Sequence, residues 1–181
     1  MWIHSTEATL ITMKSSLNKQ ILALAIPNIL TNLSVPLLSS VDTAVVGHLE
    51  EVYYLGAIAI GSMIFNFIYW AFGFLRMGTT GLTSQAFGNR NDKEIAMNLF
   101  RPAVMAIVFA IVLILLQHLI ATLSFYLVSA SPEVEKYASE YFHIRIYAAP
   151  ATLLIYVFHG WFLGMQNAKY PLILLVLVNL L

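Results

Sequence analysis

The sequence predicts an all-α polytopic membrane protein with four complete transmembrane helices and the start of a fifth. Three observations carry that expectation. Of the 181 residues, 60% are hydrophobic and only 10% are charged, whereas soluble domains carry roughly 25% charged residues. Mean hydropathy is +0.80, more apolar surface than a soluble fold of this size can hide. The apolar residues also fall into long runs without the alternation of barrel strands, which are about 10 residues long.

A membrane-spanning helix needs about 20 mostly apolar residues. The leader 1–16 has no such run and is expected to be cytoplasmic and disordered, with Met13-Lys14 a natural alternative start. Lys19–Val46 is the first run. It continues too far for a secretory h-region and is expected to remain as a signal anchor. Tyr53–Phe87, Ile95–Val128 and Val134–Gly164 follow as the second, third and fourth runs. A fifth begins after Pro171 and reaches Leu181 within LILLVLVNLL. No polar flank closes it, and an open helix end in hydrocarbon leaves carbonyls unsatisfied, so residues 17–181 are expected to form an incomplete transmembrane lobe.

Orientation follows from the basic residues in the short loops. Lys14, Lys19, Arg90, Lys93, Arg101 and Lys169 fall on one side of the alternating pattern. The other side holds Glu50, Glu51, Glu133, Glu135 and Glu140, with Lys136 as its single basic residue. The N-terminus is therefore expected to be cytoplasmic, in the cell (inner) membrane. No internal repeat is visible.

Several function classes are excluded or disfavoured. Formal net charge is +0, which removes the electrostatic case for nucleic-acid binding. There is no cysteine, hence no disulfide and no thiolate chemistry. No nucleophile–base constellation, phosphate-binding loop or zinc motif occurs, so no catalytic residue, cofactor or metal site is expected. His48, His118, His143 and His159 are scattered without metal-ligand spacing.

Ionisable groups inside the spans are functional candidates, because each costs roughly 2.5–3.5 kcal/mol at a helix centre on insertion scales. Asp42 lies in the first run with Asn28, Asn32 and Ser39 on the same helical face. Pro27 and Pro36 can kink that helix and free carbonyls toward a cavity. A carboxylate there can carry a coupling proton; the competing reading is that Asp42 simply reaches interfacial water. Arg76 lies in FGFLRMGTTGLTSQAFG with Thr80 and Thr83 on its face. Its stem can snorkel to the interface, and Gly73 and Gly81 are expected to permit close helix approach. Arg145, in YFHIRIYAAP, is expected to lie deeper and to need a partner, for which Asp42 is one candidate. Pro150 predicts a further kink. Asn66 and Asn179 can join a polar cluster or make interhelical hydrogen bonds. Trp70 and Trp161 fit interfacial belts or helix packing.

The blocks LAIPNIL, SSVDTAVVGHL and YLGAIAIGSMIFNFIYWAFGFLRMGTTGLTSQAFGNRN, followed by YFHIRIYAAPATL and GWFLGMQNAKYPLILLVLVNLL, resemble the start of the multidrug and toxic compound extrusion (MATE) family, and within it the DinF-like branch. The resemblance covers nearly everything from Leu17 to Leu181. It implies part of the N-terminal six-helix lobe of a twelve-helix, two-lobed antiporter that exports cationic or amphiphilic small molecules in exchange for protons or sodium. By the same resemblance Asp42 matches the ion-coupling acid of the first helix, Asn179 the asparagine of its cluster, and Pro27 the proline implicated in bending. Transport is then expected to need the C-terminal lobe, with membrane lipids around both. Two alternatives remain open: a lipid-linked oligosaccharide flippase of the same superfamily, and a non-transporting membrane fragment.

Overall fold

A computed structural model describes residues 18–19, 21–23, 25–27, 29–30, 33, 52–128 and 130–180, with backbone alone for 52, 174–176 and 178–180. The described positions between 18 and 33 are helical. From there the elements are α1 (Val52–Ala71), α2 (Gly73–Gly88), α3 (Asp92–Leu115), α4 (Gln117–Leu127), α5 (Pro132–Arg145), a 3-10 turn (Ile146–Ala148), α6 (Ala149–Gly164) and α7 (Lys169–Leu180). No strand occurs among the described residues, and the all-α membrane class stands. Among the described residues, three stretches are long and apolar enough to cross a membrane: Tyr53–Gly88, Asp92–Leu115 and Pro132–Gly164.

The expected second and fourth runs each contain an interruption. Phe72 separates α1 from α2 with its backbone near φ −91° and ψ 5°. The amides of Phe72 and Leu75 bond three residues back, to Tyr69 and Phe72. In the fourth run the 3-10 turn sits immediately before Pro150. The proline ring would clash with the carbonyl four residues back in a continuous α-helix, and tightening over 146–148 relieves that contact. Pro150, where the sequence predicts a kink, is thus preceded by a local 3-10 tightening of the helix. The third run, expected as one helix over Ile95–Val128, is instead α3 and α4 with a break at Leu116. The polar pair Gln117-His118 follows the break directly, but the apolar run resumes at Leu119, so an averaged hydropathy window does not resolve it.

Two tight turns close one end of the bundle. After α2, the amides of Arg90 and Asn91 bond the carbonyls of Phe87 and Ala86. After α6, those of Gln166 and Asn167 bond Leu163 and Phe162. Both are Schellman closures, with Arg90 (φ 52°) and Gln166 (φ 58°) in the left-handed region. Asn91 then caps α3, its side-chain oxygen accepting from the Glu94 amide at 3.2 Å. Arg90, Lys93, Arg101 and Lys169 gather here, so we call this the basic end; Arg101 meets Glu94 at 3.6 Å. The end of α4 and the start of α5, with Glu133, Glu135 and Glu140, mark the opposite, acidic end.

Packing differs between the two halves. Toward the acidic end α1 lies along α5, and Phe65 stacks on Phe142 at 5.1 Å between centroids. Tyr53 stacks on Tyr137 at 5.1 Å. Toward the basic end α2 runs along α6, and both meet α3. The buried positions of α2 are Leu75, Thr79, Thr83 and Ala86; those of α6 are Ala149, Leu153, Val157, Gly160 and Gly164. Both sets keep the three- and four-residue spacing of one helical face. Large apolar side chains cover the outside, including Phe67, Trp70, Met77, Leu115, Leu127 and Ile144. Such a surface suits lipid as its solvent.

Candidate functional site

The close approach of α2 to α6 involves glycines other than those expected from the sequence. A Cβ added to Gly160 would stand 2.5 Å from the Arg76 carbonyl oxygen and 3.0 Å from Thr79 Cβ. One added to Gly164 would stand 2.6 Å from Thr83 Cβ and 2.9 Å from the Thr80 carbonyl oxygen. Gly160 and Gly164 form a G-x-x-x-G pair, the spacing that lets helix backbones touch. Gly73 and Gly81, the expected close-approach positions, face open space within the described structure. They lie off the buried face of α2, which is carried by Leu75, Thr79 and Thr83 instead.

This seam fixes Arg76. Its backbone lies against α6 at Gly160, and its carbonyl accepts from the Thr80 hydroxyl at 2.8 Å. The guanidinium acts electrostatically on Tyr156 and His159 of α6, neighbours that sequence spacing could not reveal. Thr83, expected on the face of Arg76, is fully buried in the seam. One residue beyond Gly160, the Trp161 indole donates to the Ile95 carbonyl at 2.8 Å and ties α6 to the start of α3. An indole with one polar bond at a helix end fits an interfacial anchor.

Arg145 belongs to a second, separate cluster. It donates to the Ser62 hydroxyl at 3.3 Å and to the Tyr141 hydroxyl. Its guanidinium also lies 5.1 Å from the Phe65 ring centre and 5.3 Å from that of Tyr141, within cation–π range. The Tyr141 ring fits only because residue 61 is glycine: a Cβ there would come within 2.4 Å of it. Asn66, exposed on α1, lies one turn beyond Ser62 on the same face. Sixteen residues separate Arg145 from Trp161, about 24 Å at helical rise, out of a hydrocarbon core about 30 Å thick. Arg145 thus lies toward the acidic end relative to Trp161. Hydroxyls and ring faces, rather than a carboxylate, are its partners among the described residues.

Of the first-helix candidates, Pro27 is helical and half-buried. Asn28, Asn32, Pro36, Ser39 and Asp42 lie outside the described residues, as does the leader 1–16. An Asp42–Arg145 pair likewise lies outside them. The backbone of Asn179 is in α7. The histidines are not all scattered: His118 of α4 and His143 of α5 approach to 3.4 Å. Twenty-five residues separate them, so only the α4–α5 hairpin brings them together.

An all-helical bundle sheathed in apolar side chains, with cations held at two levels, is a polytopic membrane protein, and its affinities are with transporters. A family model described as MatE matches residues 27–181, and the chain belongs to that family. It is 42% identical over 167 residues to the DNA damage-inducible protein F of Escherichia coli (strain K12), a match covering 92% of this chain and 36% of that protein. The chain thus falls in the DinF-like branch of the MATE transporters and spans little more than a third of that relative's length. No solved structure matches it.

Proposed function

We propose that this chain supplies part of a secondary active exporter, an antiporter that drives cationic or amphiphilic compounds outward with a proton or sodium gradient. The observation that supports this reading is the MatE match running from residue 27 to residue 181. In this reading the basic end faces the cytoplasm and the acidic end the outside, as the distribution of Lys and Arg favours. The membrane is the cell's inner membrane, and a second lobe beyond these residues completes the substrate cleft.

Asp42 takes the coupling ion in this scheme, assisted by Asn179, and the first helix bends at Pro27. Coupling requires that ion and substrate favour different states of the protein. Asn66 with Arg145, and Arg76 with Thr80, are the described polar groups closest to a role in the cavity. The paired Schellman turns, the α3 cap and the Trp161 bond make the basic end a fixed base for that movement.

The test uses the full-length protein in energised cells loaded with a fluorescent cation. Asp42→Asn should abolish efflux while membrane expression stays at the wild-type level. Efflux retained by that variant would overturn the assignment of Asp42.

A further inference from the structure

We propose that His118 and His143 form a two-imidazole binding site for a borderline divalent transition-metal ion (zinc, nickel or copper) on the α4–α5 hairpin. The proposal stands on the geometry of the hairpin and does not depend on the transport reading. The His143 Nδ1 lies 2.8 Å from the Ser139 carbonyl oxygen. A carbonyl only accepts, so Nδ1 carries the ring proton and the lone pair is on Nε2. That atom points at His118 Nδ1, 3.4 Å away. The backbone carbonyl thus does for His143 what outer-shell acceptors do for metal-ligating histidines: it fixes the tautomer and aims the free nitrogen.

The spacing matches the coordination chemistry. With Zn–N bonds of about 2.0–2.1 Å, the edge of a tetrahedron between two nitrogen ligands is about 3.3–3.4 Å. An ion seated between His118 Nδ1 and His143 Nε2 therefore needs little ring movement. His118 needs only to carry its own proton on Nε2, which neutral imidazole exchanges freely between its nitrogens. Imidazole ligands suit zinc, copper and nickel rather than calcium or magnesium.

The surroundings leave room for the rest of the shell. Both rings line a cavity of about 710 Å³ together with Thr122, Glu135 and Ser139. Among the described residues no group of three or more His, Cys, Asp and Glu gathers to hold a metal, so water completes this site. Glu135, two helical turns before His143, lends the cavity negative charge without ligating. Arg145, two residues after His143, sends its charge away toward Ser62 of α1. A metal bound here would clamp α4 to α5, a pair otherwise in sparse contact.

The experiment uses the intact chain, purified in detergent with a tag free of histidine and titrated calorimetrically with Zn²⁺ and Ni²⁺. Wild type should bind one ion saturably. His118→Gln and His143→Gln should each weaken binding at least tenfold, while His159→Gln and His48→Gln should leave it unchanged. Undiminished binding in either hairpin variant, or no saturable binding by wild type, would overturn the proposal. Should both hairpin variants fail to fold, electron paramagnetic resonance of Cu²⁺-loaded wild type decides. Coupling to two imidazole nitrogens supports the site, and coupling to fewer overturns it.

Discussion

Gly160→Ala and Gly164→Ala should each destabilise the bundle although both put a better helix former into α6. The new methyl at Gly160 would lie 2.5 Å from the Arg76 carbonyl oxygen, and that at Gly164 would lie 2.6 Å from Thr83 Cβ. Ordinary carbon contacts begin near 3.5 Å, so α2 must retreat from α6 by roughly 1 Å at the point of contact. Neither obstacle is the far end of a flexible side chain: one is a backbone carbonyl, the other a Cβ. Overpacking of this kind costs about 1–3 kcal/mol, against the roughly 1 kcal/mol by which alanine exceeds glycine in helix propensity. The net loss is then up to about 2 kcal/mol, which at about 2–4 °C per kcal/mol for a chain of this length corresponds to up to roughly 8 °C. The assay is thermal unfolding in detergent, followed by tryptophan fluorescence, for which Trp161 stands beside the seam. Gly78→Ala and Gly81→Ala are the internal controls, because a Cβ at either position meets nothing within 4 Å. They should match or exceed wild type. If all four variants melt together, backbone contact at Gly160 and Gly164 does not hold α2 to α6.

Two further substitutions probe the two polar clusters. Gly61→Ala would drive a methyl into the Tyr141 ring and displace the hydroxyl that holds Arg145. It should lower the melting temperature and raise the reactivity of Arg145 toward a guanidinium-selective reagent, with Gly73→Ala as the silent comparison. Trp161→Phe keeps most of the ring but removes the donor to the Ile95 carbonyl. A net loss of about 1 kcal/mol in thermal stability is expected, and an unchanged melting temperature would show that the bond contributes nothing.

The helical membrane class was legible because the signal is collective: tens of apolar residues in uninterrupted runs outweigh any local preference. The breaks were legible only where covalent chemistry marks them. Pro150 announces the 3-10 turn at Ile146–Ala148, whereas at Leu116 the only mark is the polar pair Gln117-His118, which a continuing helix carries equally well. The partners of Arg145 were hidden for a different reason. Tyr141 lies one helical turn away and could have been proposed from spacing alone, but Ser62 comes from a helix 83 positions earlier. His118 and His143 are similar: each is a single histidine on its own helix, and only the packing of α4 against α5 makes them neighbours. The G-x-x-x-G pair was legible in GWFLG, yet four other glycines in α2 competed for the same role.

That competition has a physical origin. In water, hydrophobicity tells the inside of a helix from the outside; in lipid both sides are apolar, and it no longer does. What separates Gly160 and Gly164 from Gly73, Gly78 and Gly81 is therefore not their own chemistry but that of the opposing helix. The face of α2 that meets α6 carries Thr79 and Thr83, whose buried hydroxyls find no hydrogen-bond partner among the described residues. The part of these threonines that meets the glycines is Cβ, with the methyl of Thr83, rather than the oxygen. Their branched, stiff side chains hold Cβ and the methyl in one place, and a glycine opposite each of them turns that fixed shape into close contact. The seam depends on matching a rigid ridge with a missing side chain, one from each helix, and a single-helix pattern records only half of that match.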